Sequence, residues 1–515
     1  MRQTNRREFM KDVGSGMLIA GVGTSLATEL GCSSAFAFDS DESLSFGELD
    51  PLVDLMQQTS PDRLQIKLVE KLRRGDVDLR QLIAAAALAN AETFGGQDYV
   101  GYHAEMALVP ALEMARELPA KRRALPVLKV LYRNTQQIQK VGGARKKTLK
   151  PMQGGGGSIH AMGERLRDAS RQGNMNEAEQ LFASVNDVPV NEQFNALLPT
   201  IEDDINVHRF VLAHRAIELI DVVGKEQAHT MLRQCVRYCV DEERNRKARG
   251  HAPSAIRELL PRLLDQHRLH SRQLGDRDPG DEWVESMANT IYDQNETQAS
   301  DAVAAALAEG IAPDVIGEAI SLAANQLVLR QGADRWRTHG NSAGVHSSDA
   351  ANAWRNMIRV SNRHHRVAGL IVAAFHTAHY QPFAHDPYPA DAHLEKVRTT
   401  DADALLGIAE ESVRANDQVT AAAAIHVYGD QGYSERPVFD LMRRYAISED
   451  GRLHAEKYYR TVVEEFATTR PACWWRQLVA LARVTASAYS YDRNDNKGHR
   501  AAGYEDACRL LNVEA

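Results

Sequence analysis

The chain has 515 residues, 61 basic and 69 acidic side chains, and a formal net charge of −8. This length can supply large apolar cores and two or three domains. A mildly acidic chain lacks the positive patch that nucleic-acid binding requires, and five cysteines are too few for a disulfide-stabilised scaffold.

The N-terminal residues resemble a bacterial twin-arginine export signal. Arg6 and Arg7 are adjacent, Phe9 follows two positions later, Lys11 lies nearby, and a short apolar segment rich in Gly and Ala covers residues 13–27. This segment is too short and too weakly apolar for a permanent membrane anchor. The resemblance implies that the twin-arginine machinery exports the protein in its folded state. That route is used mainly by proteins that acquire a cofactor before export.

The end of this segment carries the small residues that a signal peptidase needs. Ala35 and Ala37 predict cleavage after Ala37, which makes residues 1–37 a signal peptide and the mature protein periplasmic or secreted. The alternative is a lipoprotein signal with Cys32 as the lipidated residue. Glu29 argues against lipidation, because an aliphatic residue is expected at that position.

Nearly every long segment after the signal has the composition and spacing of a helix. Ala- and Leu-rich stretches at 79–90, 303–329, 367–379 and 454–468 carry apolar residues at three- and four-residue steps. The alternating pattern of strands is almost absent, and no segment after residue 40 resembles a transmembrane helix. The sequence therefore predicts an all-α fold.

Polar and glycine-rich breaks separate groups of helices. The basic, glycine-rich stretch 142–157 could be an anion-binding loop, but it lacks the Gly-Lys-Ser/Thr ending and the preceding strand of a P-loop. We interpret it as a mobile linker or lid. A second break at 270–280 separates an N-terminal helical half, residues 38–270, from a C-terminal helical half, residues 281–515.

Four histidines recur at similar places in helix-like segments: His103, His208, His346 and His454. Three of them are followed ten residues later by a glutamate, at positions 113, 218 and 464. The separations from 103 to 208 and from 346 to 454 are 105 and 108 residues. We interpret this as two pseudo-repeated halves that enclose a cavity, the alternative being a chance match between Ala-rich helices. A repeat would direct equivalent side chains toward one cavity, so these four are candidate catalytic residues.

Two carboxylates are candidates for orienting an imidazole. Asp204 precedes His208 by four residues and Glu218 follows His214 by four, so each pair shares a helix face. A neighbouring carboxylate raises the proton affinity of an imidazole and fixes its tautomer. The alternatives are an acidic helix start that satisfies the helix dipole and a solvent-exposed His–Glu pair.

A second group of histidines predicts metal binding. His365, His376 and His379 fall on one face of a predicted helix, and the last two have the spacing of two ligands for one ion. His339 lies in a glycine-punctuated loop that leads into the helix of His346. These four are candidate ligands for a transition metal of unknown identity. Solvated histidines at the C-terminal end of a helix are the alternative.

The segments 102–115 and 345–354 resemble questin oxidase-like proteins, all-helical chains whose Ala/Leu-rich helices are punctuated by histidines. The resemblance implies oxidation chemistry. Together with the export signal and the 19 histidines, it predicts a metal-dependent oxidoreductase that acts on a small organic molecule. Two alternatives remain open: a cofactor-free helical scaffold or binding protein, and a metal-independent lyase or hydrolase.

Overall fold

The computed structural model describes residues 43–152, 161–334, 342–380, 386–449, 453–489 and 500–515. The expected signal peptide, with its arginines, its cleavage site and Cys32, lies outside these residues, and so does the candidate ligand His339. Within the described ranges the long elements are all helices, and extended residues pair only in two isolated bridges. The all-α prediction is confirmed.

The helices are named α1 to α24 in chain order. Their bounds are α1 Asp50–Gln58, α2 Pro61–Arg74, α3 Leu79–Phe94, α4 Tyr99–Met106, α5 Leu108–Arg116, α6 Ala124–Lys140, α7 Met162–Gln172, α8 Met175–Ala183, α9 Val190–Ile201, α10 Val207–Val223, α11 Ala228–Ala248, α12 Ile256–Gln266, α13 Asp281–Asp293, α14 Glu296–Ala308, α15 Pro313–Arg330, α16 Ala343–Val360, α17 Arg363–His379, α18 Asp391–Leu394, α19 Ala402–Arg414, α20 Gln418–Asp430, α21 Arg436–Ser448, α22 His454–Thr468, α23 Trp474–Ala488 and α24 Tyr504–Leu511. None of these described helices is both long enough and apolar enough to cross a membrane.

Helix α3 shows how the Ala-rich segments build the core. Asp78 caps it by accepting a hydrogen bond from the backbone N–H of Gln81 (2.8 Å), and the Gln81 side chain accepts one from the N–H of Asp78 (2.9 Å). From Leu82 to Phe94 every residue is buried. A helix that is apolar on all sides must lie inside the protein. Its small side chains let α1, α6 and α10 pack closely around it.

Four parts of the chain form a closed ring of helices. Helix α4 packs on α10, α10 on α16, α16 on α22, and α22 on α5, which directly follows α4. Two members come from each of the predicted halves, and one continuous cluster of buried apolar side chains includes residues from both. The ring therefore joins the halves at the centre of the molecule, whereas the internal repeat itself stays a prediction.

Candidate functional site

Four histidines from the four parts of the ring meet in its centre. The ring centroids are 4.8 Å apart for His103 and His208, 5.8 Å for His208 and His346, 6.5 Å for His346 and His454, and 5.0 Å for His454 and His103. His103 and His454 are buried, and the other two are partly exposed. The structure thus brings together the four residues that the sequence grouped by spacing. We call them the histidine cluster.

Helix starts hold the members of this cluster in place. His208, His346 and His454 all lie in the first turn of their helices, α10, α16 and α22. Asn206 caps α10 by accepting a hydrogen bond from the N–H of His208 (2.9 Å), and Ser342 caps α16 through the N–H of Val345 (3.1 Å). The positive ends of three helix dipoles therefore lie at the cluster, which favours uncharged imidazoles.

His103 has a fixed tautomer. Its Nδ1 lies 2.6 Å from the carbonyl oxygen of Tyr99, one turn earlier in α4, so Nδ1 carries the proton and donates it. Nε2 then holds a lone pair. This atom is buried and has no hydrogen-bond partner among the described residues. A histidine whose second nitrogen donates to a carbonyl is the usual arrangement of a metal ligand, and it also suits a general base.

Aromatic rings line one side of the cluster. The Tyr99 ring lies 4.2 Å from His103 and 5.8 Å from His208, and the Tyr102 ring lies 5.1 Å and 5.4 Å from the same two histidines. Tyr238, from α11, packs on Tyr102 at 5.2 Å. Tyr99 and Tyr102 lie just before His103 in the sequence. Tyr238 carries no such signal, since it is far away along the chain.

Burial keeps two members of the cluster, His103 and His208, uncharged. It lowers the pKa of His103 well below its ordinary value, and the charges of Lys457 and His208 lower it further. Burial also lowers the pKa of His208, with added effects from His346 and Lys457. Both imidazoles are therefore neutral near pH 7. A neutral imidazole is the form that binds a metal or accepts a proton.

Lys457 is a member of the site that the sequence did not indicate. It follows His454 by three residues on α22 and is therefore on a neighbouring part of the same face. Burial lowers its pKa to about 8, against the opposing charges of Asp349 and Glu456. Asp349 is itself buried and accepts a hydrogen bond from Thr461 (2.8 Å). Its position three residues after His454 is the sequence feature that could have indicated Lys457.

Of the two carboxylates expected to orient an imidazole, Glu218 lies near its expected partner His214, whereas Asp204 makes other contacts. Glu218 lies ten residues after His208, about 15 Å further along α10. It pairs with Arg215 and approaches Nε2 of His214 at 3.8 Å. Asp204 accepts a hydrogen bond from the N–H of Ile205 (2.7 Å) and faces a guanidinium at 3.7 Å. Neither carboxylate is placed against a histidine of the cluster.

Glu464, which the same repeat pattern marked, lies in a buried ionic group. It accepts a hydrogen bond from Asn356 (3.0 Å) and pairs with Arg460 at 2.6 Å. Burial alone would raise the pKa of Glu464, but Arg215, His214 and Arg460 together lower it. Glu218 and Glu464 thus form ion pairs within their own helices, and Arg215 lies between them.

The histidines predicted as metal ligands are separated in the structure. His365 and His376 are eleven residues apart on α17, which corresponds to about 16 Å. His376 is buried between Phe210 and Tyr380, with ring centroids at 5.4 and 5.0 Å. His379 is exposed, and its Nδ1 lies 3.0 Å from a carboxylate oxygen of Glu296. Residues on one helix face can lie several turns apart, which is too far for them to bind the same ion. The shared face therefore did not place these histidines around one metal.

The ring separations in the histidine cluster can be compared with those of a tetrahedral metal site. A metal–nitrogen bond of about 2.1 Å places each ring centroid about 3.2 Å from the ion, so neighbouring centroids in a tetrahedral site are about 5 Å apart. Two of the measured distances, 4.8 and 5.0 Å, are close to this value, and the other two, 5.8 and 6.5 Å, are longer. The rings now meet edge to face or tilted, so they must rotate for their nitrogens to converge. In the described part of the chain, three ligand atoms already lie close together only at Glu202, His364 and His365.

Comparisons of the chain with protein-family models, with curated proteins and with solved structures found no match. Fold alone does not determine function, because one helical architecture serves many activities. The chemistry of the cluster is therefore the basis for a functional assignment.

Proposed function

We propose that the histidine cluster binds a redox-active transition metal and that the protein oxidises a small organic molecule there, with dioxygen as the terminal electron acceptor. The observation that carries the proposal is the meeting of four imidazoles from four parts of the chain, with the lone pair of His103 Nε2 buried and unpartnered among the described residues. Burying an unpaired polar atom costs about 1–3 kcal/mol, and a bound ion would offset that cost.

The donor set favours particular metals. Neutral imidazole suits iron, copper, nickel and zinc, and carboxylate-preferring ions such as magnesium and calcium are disfavoured. Burial keeps His103 and His208 in the neutral form that binds a metal. Because oxidation needs a metal that changes its oxidation state, iron or copper fits the proposal best. Such an ion would supply the redox chemistry.

The residues around the cluster have distinct roles in this proposal. The rings of Tyr99 and Tyr102 form an aromatic wall against which a small unsaturated molecule could pack. A bound cation would repel the charge on Lys457 and lower its pKa further below about 8. The neutral amine of Lys457 would then accept a proton from the substrate.

The expected export route agrees with a cofactor that is inserted before secretion. We propose that the arginine pair at Arg6 and Arg7 directs the folded, loaded protein to the twin-arginine machinery. Replacing both arginines with lysine should leave the protein in the cytoplasm while its metal content stays unchanged. Secretion of this variant at the normal level would refute the proposed route.

Metal analysis of the full-length chain, purified from its own export route, tests the proposed function. We expect one iron or copper ion per chain in the wild type and its loss from His103→Ala and His454→Ala. His229→Ala is the matched control, since His229 also has buried ring nitrogens and a lowered pKa, but it stacks on Phe182 outside the cluster. Circular dichroism shows whether each variant is folded.

A low metal content would favour a different function. Less than about 0.2 redox metal per chain in the wild type, after incubation with Fe²⁺ or Cu²⁺, would contradict the metal proposal. The second candidate is a metal-independent lyase, favoured by the free lone pair of His103 and the lowered pKa of Lys457, which form a ready acid–base pair. In that case activity would need both residues but no metal.

A further inference from the structure

We infer that Glu202, His364 and His365 form a second metal site, on the surface, that binds a zinc-class divalent ion. One ligand atom from each of the three residues lies within 4.8 Å of the others. Nδ1 of His365 is 2.8 Å from Oε1 of Glu202. This site shares no residue with the histidine cluster and does not depend on the proposed oxidation.

The local backbone holds these three residues in position. Glu202 directly follows α9, and His364 and His365 lie in the first turn of α17. Asn362 caps α17 by accepting a hydrogen bond from the N–H of His365 (3.1 Å). The N–H of Asn362 in turn donates to Oδ1 of Asn195 in the middle of α9 (3.0 Å), so the start of α17 is bonded to α9. The ligands are therefore largely preorganised.

Two ligands of the site are buried, and the third is open to solvent. Glu202 and His365 are buried, with 4% and 6% of their surfaces exposed, whereas His364 is exposed. His364 and Glu202 also line a surface pocket of about 400 Å³, and the His270 ring stacks on His364 at 5.7 Å. An ion can therefore reach the three ligands from solvent, and water from the pocket can complete its coordination.

The ligand chemistry points to zinc. Two imidazole nitrogens and one carboxylate oxygen, with an open fourth position, form a common zinc donor set. Ligand atoms around a tetrahedral zinc ion are about 3.3 Å apart, so only small movements are needed. The ion would take the place of the proton that now joins His365 to Glu202. In the neutral ring that proton moves to Nε2, which leaves Nδ1 free to bind the ion.

A bound ion would connect the two predicted halves of the chain. Glu202 belongs to residues 38–270, and both histidines belong to residues 281–515. Arg363 already fastens the same junction by donating to the carbonyl of Leu269 (3.0 Å). Zinc should accordingly raise the melting temperature by binding only the folded state.

Isothermal titration of EDTA-treated full-length protein with Zn²⁺ at pH 7 tests the site. We expect saturable binding. His364→Ala and Glu202→Gln should each weaken this binding by at least about tenfold. His364 is exposed, so its removal should leave the fold intact. His379→Ala is the matched control, because His379 is an exposed histidine on the same helix with a carboxylate partner.

The outcomes separate this site from the histidine cluster. His364→Ala should retain the redox metal and lose the zinc, and His103→Ala should do the reverse. Wild-type zinc affinity in both His364→Ala and Glu202→Gln would overturn the inference. An equal loss of affinity in His379→Ala would overturn it as well.

Discussion

Lys129 is the residue whose replacement best tests how the fold supports the histidine cluster. From α6 its Nζ pairs with Oε1 of Glu456 at 2.6 Å and donates to the carbonyl oxygens of Ala446 (2.7 Å) and Glu449 (2.8 Å). Lys129 and Glu456 are 3% and 0% exposed. The ammonium thus fastens the end of α21 and the first turn of α22, which carries His454.

Lys129→Met should destabilise the protein strongly. Removing one partner of a buried ion pair leaves an uncompensated charge and costs about 3–5 kcal/mol. Replacing Glu456 as well, in Lys129→Met/Glu456→Leu, removes that charge. Two backbone carbonyls still lack their donor, so about 1–3 kcal/mol of the loss should remain.

Urea unfolding, monitored by circular dichroism, measures these differences in the free energy of unfolding. The values are taken from the first unfolding transition. Lys140→Met is the control, since Lys140 is exposed on the same helix, and a surface change of this kind costs at most about 0.5 kcal/mol. A loss below about 1 kcal/mol for Lys129→Met, or a double variant no more stable than the single one, would refute the reasoning. Metal content of the cluster should fall with stability, because His454 loses its support.

Three further predictions concern protonation and the backbone near the cluster. Because burial lowers the folded-state pKa of His103 and His208, the unfolded chain binds protons first, so stability should fall as the pH drops below about 6.5. Melting curves from pH 5 to 8 should show a shallower fall for His208→Asn than for the wild type. Lys457 has a folded-state pKa of about 8, below the unfolded value of about 10.4, so wild-type stability should rise relative to Lys457→Met between these pH values. Equal slopes for the two proteins would contradict this assignment. Gly96 has φ +77° at the turn before α4, and a Cβ there would collide with a backbone carbonyl of α11, so Gly96→Ala should cost more than 2 kcal/mol, estimated as roughly the left-handed strain plus the clash. Gly75→Ala is the control, with φ +73° but open space around it, and it should cost only about 1 kcal/mol in the same thermal assay.

The fold class and the meeting of the four histidines were accessible from the sequence. Ala-rich stretches with three- and four-residue periodicity predict helices directly, because that spacing produces one apolar face. The similar spacings from His103 to His208 and from His346 to His454 supplied long-range information that local patterns lack. The structure places these four side chains in one region, whereas their catalytic role stays a prediction.

The partners of individual charged residues could not be predicted in this way. Glu218 and Glu464 each follow a histidine of the cluster by ten residues. In the structure both carboxylates face Arg215 and not the cluster. His365 and His376 share a helix face but are separated by about 16 Å of its length. Which groups meet across helices depends on packing between elements far apart in sequence. The sequence of a single chain gives information about such long-range contacts only where it contains an internal repeat.

The helix ring has a consequence for the order in which the protein matures. His103 and His454 touch although about 350 residues separate them along the chain, so the cluster is complete only after the last quarter has docked. Truncated or half-folded products would lack a full set of donors. Occupancy by a metal would then report that synthesis and assembly had finished, which is the condition a translocase for folded cargo has to verify.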